Sequence, residues 1–147
     1  MSAQQLNTLA HVAASFIERH YPQAREWDDL VGWCTWYISH GFMCALPTKN
    51  GTIGALCAAR TVNGPEDGQI AYKHAQDGQC VFIDLLIITD KSPSVYGALG
   101  DIMRERFGKR MEVAFQRLAI HDYEDFLRNI MRVKRIGTSH YVTTKTT

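Results

Sequence analysis

Asp84 occupies a position that asks for a chemical explanation. It interrupts QCVFIDLLIIT, the most apolar stretch of the chain, where an unpaired carboxylate would be costly to bury. Such a carboxylate can accept a proton from a reacting group, or it can pair with Arg60, Lys73 or a histidine across a sheet. His74 and Cys80 flank the turn before this stretch and could form a cysteine–histidine nucleophile pair, although many hairpins place these two residue types across a turn. The cysteines at 34, 44, 57 and 80 show no C-x-x-C spacing. That argues against a zinc site, and indeed any metal site, and for buried thiols in a reducing compartment. Arg104, Arg106, Lys109 and Arg110 read as a solvated basic face. His121 and His140 read as surface or helix-end residues.

The elements that must position these residues follow from the apolar period. Leu6, Leu9, Val12, Ala13, Phe16 and Ile17 predict a helix that stops before Pro22. Trp27, Leu30, Val31, Cys34 and Ile38 predict a second, ending near Gly41, with Trp33, Trp36 and Tyr37 widening its apolar stripe. Four strands are then expected in an antiparallel meander: FMCALPT, TIGALCAARTV, QIAYKHA and QCVFIDLLIIT. Lys49-Asn50-Gly51, residues 63–68 and Asp77-Gly78 supply the turns between them. The last strand is nearly all apolar and is expected to be central and covered on both faces. Ser92 and Pro93 open a third helix with Val95, Leu99, Ile102, Met103 and Phe107 on one face, and Gly108 stops it. RMEVAFQRL is the next strand, at a spacing suited to a parallel crossover. A fourth helix carries Tyr123, Phe126, Leu127, Ile130 and Met131, and VKRIGTSHYVTT reads as one final strand. The fold class is α+β: a mixed sheet of about six strands with four flanking helices.

Composition sets the outer limits. The chain has 147 residues, 46% of them hydrophobic and 21% charged, with a formal net charge of +1. This predicts one domain with a sizeable core and no bulk attraction to nucleic acid or anionic membrane. No apolar run reaches the roughly 18–20 residues that span a bilayer. The segment MSAQQLNTLA lacks the basic start and apolar block of a signal peptide, so a cytoplasmic protein is expected.

The order of elements resembles the GNAT superfamily of acyl-CoA-dependent N-acetyltransferases over nearly the whole chain. AIHDYE at 119–124 is similar to the family's A-I-x-x-Y-E segment, VKRIGTSHY at 133–141 to its closing strand, and FIDLLIITD to its fourth strand. The resemblance implies a single GNAT-like domain over 1–147, in which the fourth and fifth strands splay apart around a pantetheine arm. The backbone of Leu86, Ile87 and Ile88 would pair with that arm. The pyrophosphate would sit at Lys91 and the following helix start, on Ser92, Ser94, Val95, Tyr96 and Gly97. The family pattern there is a basic residue or Gln, two residues, Gly, one residue, then Gly or Ala. This chain has Lys91, Ser94 and Tyr96 at those places, with Gly97 one position late, so the loop is degenerate. The resemblance also implies Tyr123 as proton donor to the departing thiolate and Asp84 as proton acceptor for the attacking amine. The implied function is transfer of an acetyl group from acetyl-CoA to an amine on a small molecule or protein, and a homodimer is compatible with it. The alternative is a catalytically inactive binding or structural protein of the same fold, for example a phage or accessory protein.

Overall fold

The computed structural model describes residues 1–48, 50–108, 112–116, 134–135 and 141–145. The chain groups into two compact units, Met1–Met43 and Cys44–Thr147.

The first unit is helical. Helix α1, Ala3–His20, begins with a capping box in which the Ser2 side chain accepts from the Gln5 N–H and the Gln5 side chain accepts from the Ser2 N–H. Its buried residues are Ala10, Ala13, Ala14, Phe16 and Ile17, whereas Leu9 and Val12 of the expected stripe are exposed. The correction has a steric origin. Ala10, Ala13, Ala14 and Ile17 share one helical face, and its small side chains admit close packing of α1 against helix α2, Leu30–Ser39. Between them, Pro22–Glu26 form a 3-10 turn. Asp29 caps α2, its carboxylate accepting from the Gly32 N–H at 2.9 Å. A chain of ring contacts runs Tyr21–Trp27–Trp33–Tyr37–Trp36–His40.

The second unit is built on a six-stranded mixed sheet in the order β1-β2-β3-β4-β6-β5. Its strands are β1 (Met43–Pro47), β2 (Ile53–Val62), β3 (Cys80–Ile88), β4 (Glu112–Gln116), β5 (Lys134–Arg135) and β6 (Tyr141–Lys145). The β1–β2 turn closes where the Thr48 N–H donates to the Thr52 carbonyl at 2.7 Å. β2 and β3 are antiparallel, β3 and β4 parallel, and β6 is antiparallel to both β4 and β5. β3 is internal and buried at every position except Asp84, which is half-buried. Helix α3, Pro93–Phe107, supplies the crossover between β3 and β4. Ser92 caps it, and Gly108 ends it at φ 83°, a conformation that favours glycine.

Two expectations about strands are corrected. QIAYKHA is no strand: a 3-10 turn at Pro65–Gln69 leads into an irregular segment, and β2 pairs directly with β3. The carbonyls of Gly68, Ile70 and Lys73 turn inward to the Arg60 guanidinium instead of into a ladder. VKRIGTSHYVTT is likewise two strands, because Lys134 and Arg135 pair back onto Thr143 and Val142. Three α-helices lie among the described residues; the expected fourth, with Tyr123, lies outside them. No described helix is long and apolar enough to cross a membrane.

Candidate functional site

Asp84 lies at an irregularity in β3. Ala58 is opposite Leu85 and Ala59 is opposite Ile83, so Asp84 is the extra residue of a bulge. The parallel register with β4 runs from Cys80↔Glu112 to Ile83↔Phe115. β3 continues to Ile88 and β4 to Gln116, yet among the described residues their register ends one position before the bulge. Leu86, Ile87 and Ile88 remain paired on their β2 side, with Cys57, Leu56 and Ala55, and all three are buried.

The Asp84 carboxylate meets Arg60. Nε of Arg60 donates to Oδ2 at 2.8 Å and Nη2 to Oδ1 at 2.9 Å, the bidentate geometry that suits a guanidinium. Nη1 also donates to the carbonyls of Ile70 (2.7 Å) and Lys73 (2.8 Å), and Nη2 donates to that of Gly68 (2.7 Å). All five guanidinium N–H groups are therefore engaged, and Arg60 is only 1% exposed. Its guanidinium carbon also stands 5.6 Å from the centre of the Phe82 ring. The Arg60 pairing, one of those open from sequence, is present in the structure. Lys73 instead pairs with Asp67 at 3.0 Å.

The N-cap of α3, Ser92, lies two residues beyond Asp90. At the end of β3, the N–H groups of Thr89 and Asp90 both donate to the Gly54 carbonyl, at 2.8 and 3.1 Å. The Asp90 carboxylate then accepts from the Ser92 N–H at 3.0 Å, and Ser92 Oγ accepts from the Val95 N–H at 3.4 Å. Pro93 has no N–H, which leaves Ser94 as the first-turn donor without a bond among the described residues. Lys91 and Ser94 are exposed, Ser92, Tyr96 and Gly97 half-buried, and Val95 buried. A side-chain carbon on Gly97 would meet nothing within 4 Å.

The remaining candidates separate. Cys80 is packed in an apolar cluster with Val62, Phe82 and Ala114, while His74 is exposed and its Nδ1 lies 3.1 Å from the Tyr72 carbonyl oxygen. All four cysteines are buried and none is in a disulfide. Burial pushes the Cys34 thiol up to about 12. Cys57 is raised well above its ordinary value, by burial first and then by the Cys44 thiol and the Asp84 carboxylate, with Arg106 opposing. Burial raises Cys44 as well, again against Arg106. Such thiols stay protonated and unreactive near neutrality. Arg104 pairs with Asp101 at 2.6 Å. Tyr123, His121, His140, Lys109 and Arg110 lie outside the described residues.

Sequence reasoning missed Asp90 and three backbone carbonyls. Asp90 accepts from the N–H of the capping Ser92, and its signal was the Asp-x-Ser-Pro spacing. The carbonyls of Gly68, Ile70 and Lys73 leave no signal in side-chain types.

No family model matches the chain, and none of the curated proteins matches it. Among solved structures it is similar to a Staphylococcus aureus Mu50 protein provisionally called an acetyltransferase, with a TM-score of 0.57 and 10% identity over 100% of this chain and 97% of that one. An acetyltransferase of the GNAT family from Listeria monocytogenes 4b F2365 follows, with a TM-score of 0.49 and 11% identity over 97% of this chain and 88% of that one. A likeness at such low identity speaks to architecture alone. The parallel β3–β4 pair, the α3 crossover between its strands and the likeness to the first of these proteins agree on that architecture: the chain has a divergent GNAT-like fold.

Proposed function

We propose that the protein is an acyl-CoA-dependent N-acyltransferase that moves an acetyl group from acetyl-CoA to an amine on a small molecule or protein. The observation that carries this reading is that, among the described residues, the parallel β3–β4 register ends at Ile83, from which β3 runs on for five residues toward the start of α3. An extended backbone edge at that place suits an amide-bearing pantetheine arm, with Leu86, Ile87 and Ile88 as its partners. Lys91 and the Ser94 N–H are the groups to hold the pyrophosphate, with Ser92, Val95, Tyr96 and Gly97 shaping the turn.

In this reading the free amine attacks the thioester carbonyl, forming the new C–N bond. Backbone N–H groups of β3 stabilise the oxyanion. The C–S bond then breaks, and the thiolate takes its proton from Tyr123. The amine's surplus proton leaves through water at the Asp84 bulge, because both Asp84 oxygens already accept from Arg60. Binding acetyl-CoA to the folded protein should raise its melting temperature. No shift at millimolar acetyl-CoA, together with no heat of binding by calorimetry, overturns the reading.

A second reading, a non-catalytic binding or structural protein with the same architecture, is favoured by the start of α3. Asp90 and Ser92 occupy donors that a pyrophosphate would use, and Asp90 adds negative charge beside them. Asp90→Asn separates the two. Tighter acetyl-CoA binding in the variant fits a site that Asp90 only weakens, whereas no binding to either protein fits the second reading.

A further inference from the structure

Residues 63–77 contain no buried side chain, so apolar burial does not hold this segment onto the sheet. Thr61 holds Ala75 through two hydrogen bonds of 2.9 Å, and Arg60 holds the stretch before it: its guanidinium binds the carbonyls of Gly68, Ile70 and Lys73 and the carboxylate of Asp84. The segment is drawn close to β3, since a side-chain carbon on Gly68 would collide with the Phe82 ring. The Lys73 N–H also donates to the Ile70 carbonyl at 3.2 Å, which closes a four-residue turn. Within that turn Tyr72 is held at φ 62°. A non-glycine residue keeps such a conformation only where its surroundings enforce it.

We propose that Arg60 is a positioning residue. One buried guanidinium fixes residues 68–73 as a rigid wall over Phe82 and ties that wall to the Asp84 bulge, beside the end of the β3–β4 register. In the proposed acyl transfer the wall orients the acceptor amine. That part rests on the acyl-transfer reading; the clasp itself does not.

The test is hydrogen exchange on the full chain with Arg60→Lys, which keeps one charge for Asp84 but lacks the planar fork that reaches three carbonyls. Amides of residues 69–76 should exchange at least about tenfold faster, while those of Leu56 and Leu86 in the β2–β3 ladder keep their wild-type rates. Trypsin should then cut after Lys73 in the variant under conditions that spare the wild type. Gly68→Ala, which leaves the Arg60 side chain in place but forces residue 68 off the Phe82 ring and away from Nη2, should give the same local signature. Unchanged exchange at 69–76, or equal acceleration in the ladder, overturns the inference. With acetyl-CoA and a simple primary alkylamine as probes, Arg60→Lys should raise the amine KM about fivefold or more with kcat within about twofold. A lowered kcat at unchanged KM overturns the orienting role. Wild-type protein without turnover but with the expected exchange signature removes the acyl-transfer reading and leaves the clasp standing.

Discussion

Arg60 and Asp84 each interrupt a strand of small or apolar residues, and their union shows why neither interruption is tolerable alone. Deleting one partner leaves the other charge buried and uncompensated. Asp84→Leu should therefore destabilise the protein by about 3–5 kcal/mol, and Arg60→Leu by at least as much. The double variant should lose less than the sum of the two, as urea denaturation of all four proteins would show. Additive losses would mean that the pair is not energetically coupled. The sequence left this pairing open beside Lys73 and a histidine, because a strand was expected between the two that in fact pair directly. The three carbonyls were not legible in the sequence, since every residue has one and only the backbone path decides where it points.

The two ends of α3 show which elements a sequence specifies well. Ser92, Pro93 and Gly108 each have a local physical role at a helix end, and the helix spans the residues between them. Ser92→Ala should cost about 1 kcal/mol through the lost cap, measurable as a lower melting temperature. Its effect on exchange should be confined to the first turn of α3. Residues 69–75 were misread for the complementary reason. Their composition suits a strand, but the long-range guanidinium captures the carbonyls that a ladder needs. In α1 the larger Leu9 and Val12 drew attention, while the buried face is made largely of alanines. Close approach between helices rewards small side chains, which a hydrophobic pattern undervalues.

At the scale of the molecule, the order of elements through α3 and β4 could be read in advance except for the strand expected at residues 69–75, because the other boundaries carry their own turn or cap. The separation of β5 from β6 could not, since the pairing of Lys134 with Thr143 is not signalled in either segment. The buried thiols give the whole fold an alkaline limit. Cys34, Cys44 and Cys57 are held protonated above the ordinary thiol value of 9.0, Cys34 up to about 12. The unfolded chain gives up these protons from about pH 9 while the folded chain keeps them, so stability should fall as pH rises above 9. Cys34→Ala should narrow the gap in melting temperature between pH 7.5 and 10.5, and an unchanged gap would remove this thiol as a cause. The bulge in β3 has a consequence of another kind. Ile83 faces Ala59 and Leu85 faces the adjacent Ala58, so β2 runs on without a gap while β3 carries one residue more. Deleting Asp84 would therefore straighten β3 and leave the pairs from Leu85↔Ala58 to Ile88↔Ala55 in register, with residues 85–88 keeping their faces. Asp84→Gly would remove the charge and keep the bulge. The residue that carries the carboxylate is thus the one residue of β3 that the ladder with β2 does not need.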